Sequence, residues 1–236
     1  DEPAHLDRTG GHSNPPDLCT HPDTKCVLDA IRILRKQFGD EVCIIGKTMG
    51  PWSLAYHGFG VEQFLLMSLD DPDKTHRCLD KLKESTIRFG KAQIEAGADA
   101  LTLPDHATGD LVSGDYYERY LRQMHIEFAD ALPIPLILHI CGRTIDRMQY
   151  IAQTGMAAFH FDSKNAPDES MQVVKDRISL VGNINNPETL FAKGPQEVRQ
   201  EVYENLEAHV PLIGPECAIP LQTSIENLKE IPRAVR

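Results

Sequence analysis

Short apolar runs alternate with longer amphipathic stretches along this chain, and that alternation constrains the fold more than any other feature. Runs at 42–47, 100–103, 136–141, 158–161, 179–183 and 212–217 read as buried strands. Between them lie helical patterns at 23–38, 72–97, 116–132, 145–154, 169–176 and 197–208, with a last one from Ser224 onward. The first carries Val27, Ile31, Leu34 and Phe38 on one face, and Pro72 after Asp71 suits a first helical position. Strands separated by crossovers of this length run parallel. Residues 1–22 are rich in Gly, Pro, Asp and His without a hydrophobic period and read as irregular; residues 23–236 read as one α/β domain.

The polar residues choose between an open sheet and a barrel. Asp105-His106, His139 with Cys141, Asp162, Asn183 and Cys217 fall at or just beyond the C-terminal ends of their strands. In an α/β barrel that rim carries the active site, so the pattern favours a barrel. A closed barrel of this kind needs eight strands against the six counted here, which suggests a barrel whose N-terminal part is not in this chain.

His139 and Cys141 are two apart in an extended run, so they share a face and can chelate one ion together; Cys217 closes a second run far downstream. One imidazole and two thiolates form a zinc-type set with one tetrahedral position open, which is an arrangement for catalysis. The alternative is three buried strand-end residues, since free cysteine is often core. Asp162 suits orienting His139 or accepting a proton, against a role as capping or loop aspartate. Asn183 suits hydrogen bonding to a substrate, against a turn role. Asp105 lines the rim, Trp52 in a Gly-Pro-Trp loop either contacts a cofactor or packs, and Glu216 points away from Cys217. The histidines at 76, 125, 160 and 209 read as surface or satisfied residues beside helical patterns.

The net charge of -11 argues against nucleic acid or an anionic membrane as partner. No apolar run reaches the length of a bilayer span, the first residues lack a signal-peptide pattern, and six scattered cysteines suit reduced thiols. A cytoplasmic protein is expected.

Gly50-Pro51-Trp52-Ser53-Leu54, Gly97-Ala98-Asp99-Ala100, His139-Ile140-Cys141-Gly142, Phe161-Asp162, Gly182-Asn183-Ile184 and Glu226-Asn227-Leu228 follow one another in an order that resembles the superfamily of uroporphyrinogen decarboxylase and the zinc-dependent corrinoid methyltransferases. The His-x-Cys pair and the distant second Cys resemble the methyltransferase branch; the decarboxylase works without a metal. The resemblance implies a (β/α)8 barrel of the uroporphyrinogen decarboxylase type, with Zn2+ on His139, Cys141 and Cys217. It further implies methyl transfer from methylcobalamin on a transiently docked corrinoid protein to a small acceptor, such as coenzyme M or tetrahydrofolate. Asp162 and Asn183 stand as catalytic candidates, Trp52 and Asp105 as cofactor-binding candidates. Tetrapyrrole decarboxylation and a non-catalytic zinc-binding or corrinoid-protein docking module are the competing expectations.

Overall fold

The structure, a computed structural model, describes residues 20–236, so most of the irregular 1–22 segment, with Cys19, lies outside the described residues. The chain divides into two compact units, Asp1–His106 with Asp130–Leu136, and Ala107–Ala129 with Ile137–Arg236.

In the first unit, α1 (Pro22–Phe38), β1 (Ile45–Lys47), α2 (Pro51–Phe59), α3 (Val61–Asp70), α4 (Pro72–Ala96) and β2 (Ala100–Pro104) follow in order. β1 and β2 pair in parallel, Ile45 opposite Ala100. The stops of α4 were legible: Asp71 accepts from the Lys74 amide at 2.9 Å, Pro72 opens the helix, and Gly97 at φ 111° ends it in a left-handed turn. The expected face of α1 is rotated. Leu28 and Ile31 are buried, while Val27, Leu34 and Phe38 are 43%, 41% and 38% exposed.

Helices α2 and α3 were not expected. The Gly-Pro-Trp segment, read as a loop, begins α2. Gly50 has no side chain to cap it, and the orphan amide of Ser53 donates instead to Asp105 Oδ1 at 2.8 Å, across 52 positions of sequence. Asp105 is fully buried in this role. Trp52 is fully buried as well, edge-on to Phe64 and Tyr56 with ring centroids 4.8 and 6.0 Å away. Both residues therefore hold the fold together here.

The second unit contains the helical run α5 (Gly114–Tyr117), a wide turn Glu118–Arg122 and most of α6 (Gln123–Ala131), one continuous stretch where one helix was expected. It continues with β3 (Leu136–His139), α7 (Ile145–Ile151), β4 (Ala158–His160), α8 (Pro167–Val174), β5 (Ser179–Ile184), a wide helical turn Asn186–Phe191, α9 (Pro195–Glu207), β6 (Leu212–Pro215) and α10 (Ile225–Val235). Strands β3 to β6 are neighbours in sequence order and all parallel, with His139 opposite His160, His160 opposite Val181 and Val181 opposite Leu212. Alternation decides what faces what. Leu138, Phe159 and Leu180 are fully buried on one face, whereas His139, His160 and Val181 form a row on the other. Ile184, Leu190, Val198, Val202 and Ile231 close a separate apolar core under α9 and α10.

Among the described residues there are six strands. That is the number counted from the sequence, and a full eight-stranded barrel is not formed among the described residues. No described helix is long and apolar enough to cross a membrane.

Candidate metal centre

Three side chains converge in the second unit. His139 ends β3; Cys141 lies two residues on, and Cys217 two residues beyond the end of β6. The strands stop at 139 and 215, short of the expected 141 and 217, so both thiols stand on loops leaving the strand ends. His139 Nε2 is 3.1 Å from Cys141 Sγ and 3.4 Å from Cys217 Sγ, and the two sulfurs are 3.1 Å apart. Among the described residues this is the one group of His, Cys, Asp or Glu with its ligand atoms so gathered, all within 4.8 Å of one another.

These separations suit one small tetrahedral ion. With Zn–S of about 2.3 Å and Zn–N of about 2.0–2.1 Å, tetrahedral donors stand about 3.5–3.8 Å apart. The triangle here is tighter by about 0.2–0.7 Å, most between the two sulfurs, a difference that side-chain rotations of the two cysteines absorb. His139 is also prepared to bind through Nε2, because its Nδ1–H donates to the His160 carbonyl at 3.1 Å. That bond corrects the expectation that Asp162 orients His139.

The Cys141 thiol has a raised pKa, first through its contact with the Cys217 sulfur and then through burial. Cys217 is lowered, first by the Cys141 thiol and then by His139. Cys78, in the first unit, shows the opposite: burial pushes its thiol up to about 11.

Around the triad, carboxylates hold backbone. Asp162 accepts from the amide of Gly142 at 2.8 Å and from that of Lys164 at 2.9 Å, fixing the turn that leaves Cys141. Gly142 sits there at φ 77°, and a Cβ on it would run into Thr108 Oγ1. Glu216 accepts from the Ser163 and Asn186 amides, both at 2.9 Å, and so locks the residue before Cys217. Its carboxylate is turned to these donors. Asn183 donates to the Asn165 and Asp162 carbonyls at 2.9 and 3.3 Å and lines a polar cavity of about 200 Å3 with Ser163, Asn185 and Glu201.

Sequence reasoning missed His160. It lies on β4, not beside a helix; its ring stacks on His139 with centroids 4.5 Å apart, and its Nε2–H donates to the Pro215 carbonyl at 2.7 Å. Burial holds the imidazole below the ordinary histidine range, hence neutral. The signal lay in the strand register, which puts His139 and His160 side by side. His125 is a satisfied core histidine, 2.8 Å from the Tyr117 hydroxyl.

The model of the uroporphyrinogen decarboxylase (URO-D) family matches residues 4–236. The chain belongs to that family. Its similar relatives include the methylcobamide:CoM methyltransferase MtaA of Methanosarcina barkeri, 32% identical over 234 residues, which cover 98% of this chain and 68% of that protein. A methylated-thiol–coenzyme M methyltransferase of Methanosarcina mazei is 30% identical across 100% of this chain and 66% of its own length. A uroporphyrinogen decarboxylase of Pectobacterium carotovorum is 34% identical, over 75% of this chain and 52% of its own. Among solved structures, a methyltransferase from Methanosarcina mazei superposes with a TM-score of 0.92 at 30% identity, covering 98% of this chain and 69% of that one. A B12-independent methionine synthase from Shewanella, at 12% identity and a TM-score of 0.70, shares the fold alone.

Proposed function

We propose that this chain is the thiol-activating part of a corrinoid-dependent methyltransferase, with a zinc ion held by His139 Nε2, Cys141 Sγ and Cys217 Sγ. The observation that carries the reading is the convergence of those three donors, a group that no other His, Cys, Asp or Glu joins among the described residues. The methyltransferase names and the 0.92 superposition support it from the family side. Zinc bound there supplies Lewis acidity that brings the pKa of a small thiol down towards neutrality.

The chain's own residues set the conditions. Cys141 and Cys217, as thiolates, would neutralise a divalent cation held there, which would leave a substrate thiolate its negative charge and its nucleophilicity. The His160 carbonyl keeps the proton of His139 on Nδ1 and its lone pair on Nε2. Asp162 and Glu216 hold the turns that carry the two cysteines, which fixes where the acceptor sulfur stands. Asp162 and Asn183 thus act by positioning: the Asp162 oxygens are occupied by backbone amides and the Asn183 amide by carbonyls. The donor is a methylcorrinoid on a separate, transiently docked protein, and the acceptor is a small thiol of the coenzyme M kind. Tetrahydrofolate is the competing acceptor.

The decarboxylase relative favours a second reading, tetrapyrrole decarboxylation without a metal. One assay separates them: zinc-loaded chain with methylcobalamin and 2-mercaptoethanesulfonate, following loss of the methylcobalamin absorbance and formation of the thioether. Zinc-dependent thioether supports the methyltransferase reading. Porphyrinogen decarboxylation without thioether overturns it, and zinc binding with neither activity leaves a docking or metal-holding module.

A further inference from the structure

The metal triad is assembled from widely separated strands. His139 ends β3 with Cys141 on the loop that follows it, Cys217 lies on the loop after β6, and two strands lie between β3 and β6. Parallel-sheet hydrogen bonds connect each strand only to its neighbours, so pairing alone links Cys217 to His139 through β4 and β5 in series. His160 bypasses that series. Its carbonyl accepts the Nδ1–H of His139, its ring lies 4.5 Å from the His139 ring, and its Nε2–H reaches past β5 to the Pro215 carbonyl on β6. Pro215 is two residues from Cys217.

We propose that His160 is a positioning residue of this metal centre, tying the Cys217 arm to the His139–Cys141 arm through its Nε2–H bond to Pro215. The proposal rests on the metal-binding reading above. A plain core histidine has no need of this geometry: a stacked residue of any apolar type fills the space, whereas only a donor at the Nε2 position reaches Pro215. Glu216 and Asn186 hold the same arm, Glu216 through the Ser163 and Asn186 amides and Asn186 Nδ2 through the Ala218 carbonyl at 2.9 Å. His160 contacts both arms.

The test is metal affinity, read without turnover. Zn2+ and Co2+ dissociation constants are measured on the purified chain by competition with a chromophoric chelator, with the thiolate-to-Co2+ charge-transfer band reporting how many sulfurs bind. His160→Leu is expected to weaken binding by about 10–100-fold, as loss of outer-shell partners does, and to lower the charge-transfer intensity per cobalt. His160→Gln carries an amide donor at nearly the Nε2 position and restores the affinity; His160→Asn is too short and does not. Because the effect runs through one ligand, His160→Leu combined with Cys217→Ser costs little more than Cys217→Ser alone. Equal affinities for the Gln and Asn variants, or losses that multiply in the double variant, overturn the proposal even if the Leu variant fails to fold. Wild-type chain that binds neither ion overturns the metal reading and this proposal together; wild-type binding with His160→Leu unaffected overturns this proposal alone.

Discussion

Replacing Glu216 by Gln tests whether the arm carrying Cys217 is held as described. Glu216 is 5% exposed, and its two oxygens accept separately from the Ser163 and Asn186 amides at 2.9 Å. A glutamine offers one carbonyl oxygen, so one amide keeps a neutral partner and the other faces an NH2 group. Leaving a buried N–H unpaired costs about 1–3 kcal/mol, and exchanging a charged acceptor for a neutral one adds about 1 kcal/mol, for a total of about 2–4 kcal/mol. In a chain of this size that lowers the thermal midpoint by roughly 4–16 °C. Melting followed by far-UV circular dichroism gives the number directly, and zinc affinity is expected to fall with it because Cys217 is the next residue. A midpoint within about 2 °C of wild type refutes the reasoning, since no cost of that size then attaches to the two amides.

Three further outcomes are expected. Gly142→Ala, which places a Cβ against Thr108 at φ 77°, lowers stability by about 1–3 kcal/mol in urea unfolding and weakens zinc binding; full retention of both contradicts the tight turn after Cys141. Trp52→Ala removes a fully buried ring from an aromatic cluster and costs about 3–5 kcal/mol of stability, whereas Trp52→Phe leaves the KM for methylcobalamin unchanged; a raised KM in the phenylalanine variant returns Trp52 to a cofactor role. Stripping the zinc-loaded chain with a chelator lowers its thermal midpoint, because an ion bound only to the folded state stabilises it by mass action; an unchanged midpoint argues that the donors hold no ion.

The gathering of His139, Cys141 and Cys217 was legible because strand periodicity is local. His139 and Cys141 declare a common face by being two apart, and Cys217 by ending a matching run. The limits of α4 were equally local, set by Asp71-Pro72 at one end and Gly97 at the other. What stayed hidden depends on distant partners. Helix α2 starts at Pro51 because Asp105 caps it from 52 residues away, and no window of sequence contains both. The place of His160 follows from strand register, which pairs it with His139 only once β3 and β4 align. Asp162 was given a task at His139 that a backbone carbonyl performs, while its own oxygens hold Gly142 and Lys164. Polar side chains at strand ends advertise chemistry in a sequence; here several of them, Asp105, Asp162 and Glu216, are buried to satisfy amides of neighbouring loops.

Metal content tests the central claim most directly. Chain purified without added chelator, and its Cys217→Ser variant, are assayed by inductively coupled plasma mass spectrometry against protein concentration from amino-acid analysis. The account predicts one zinc per wild-type chain and a sharp loss in the variant, with both showing the same far-UV spectrum. Folded wild-type chain that takes up no zinc, or a variant that keeps a full equivalent, contradicts it.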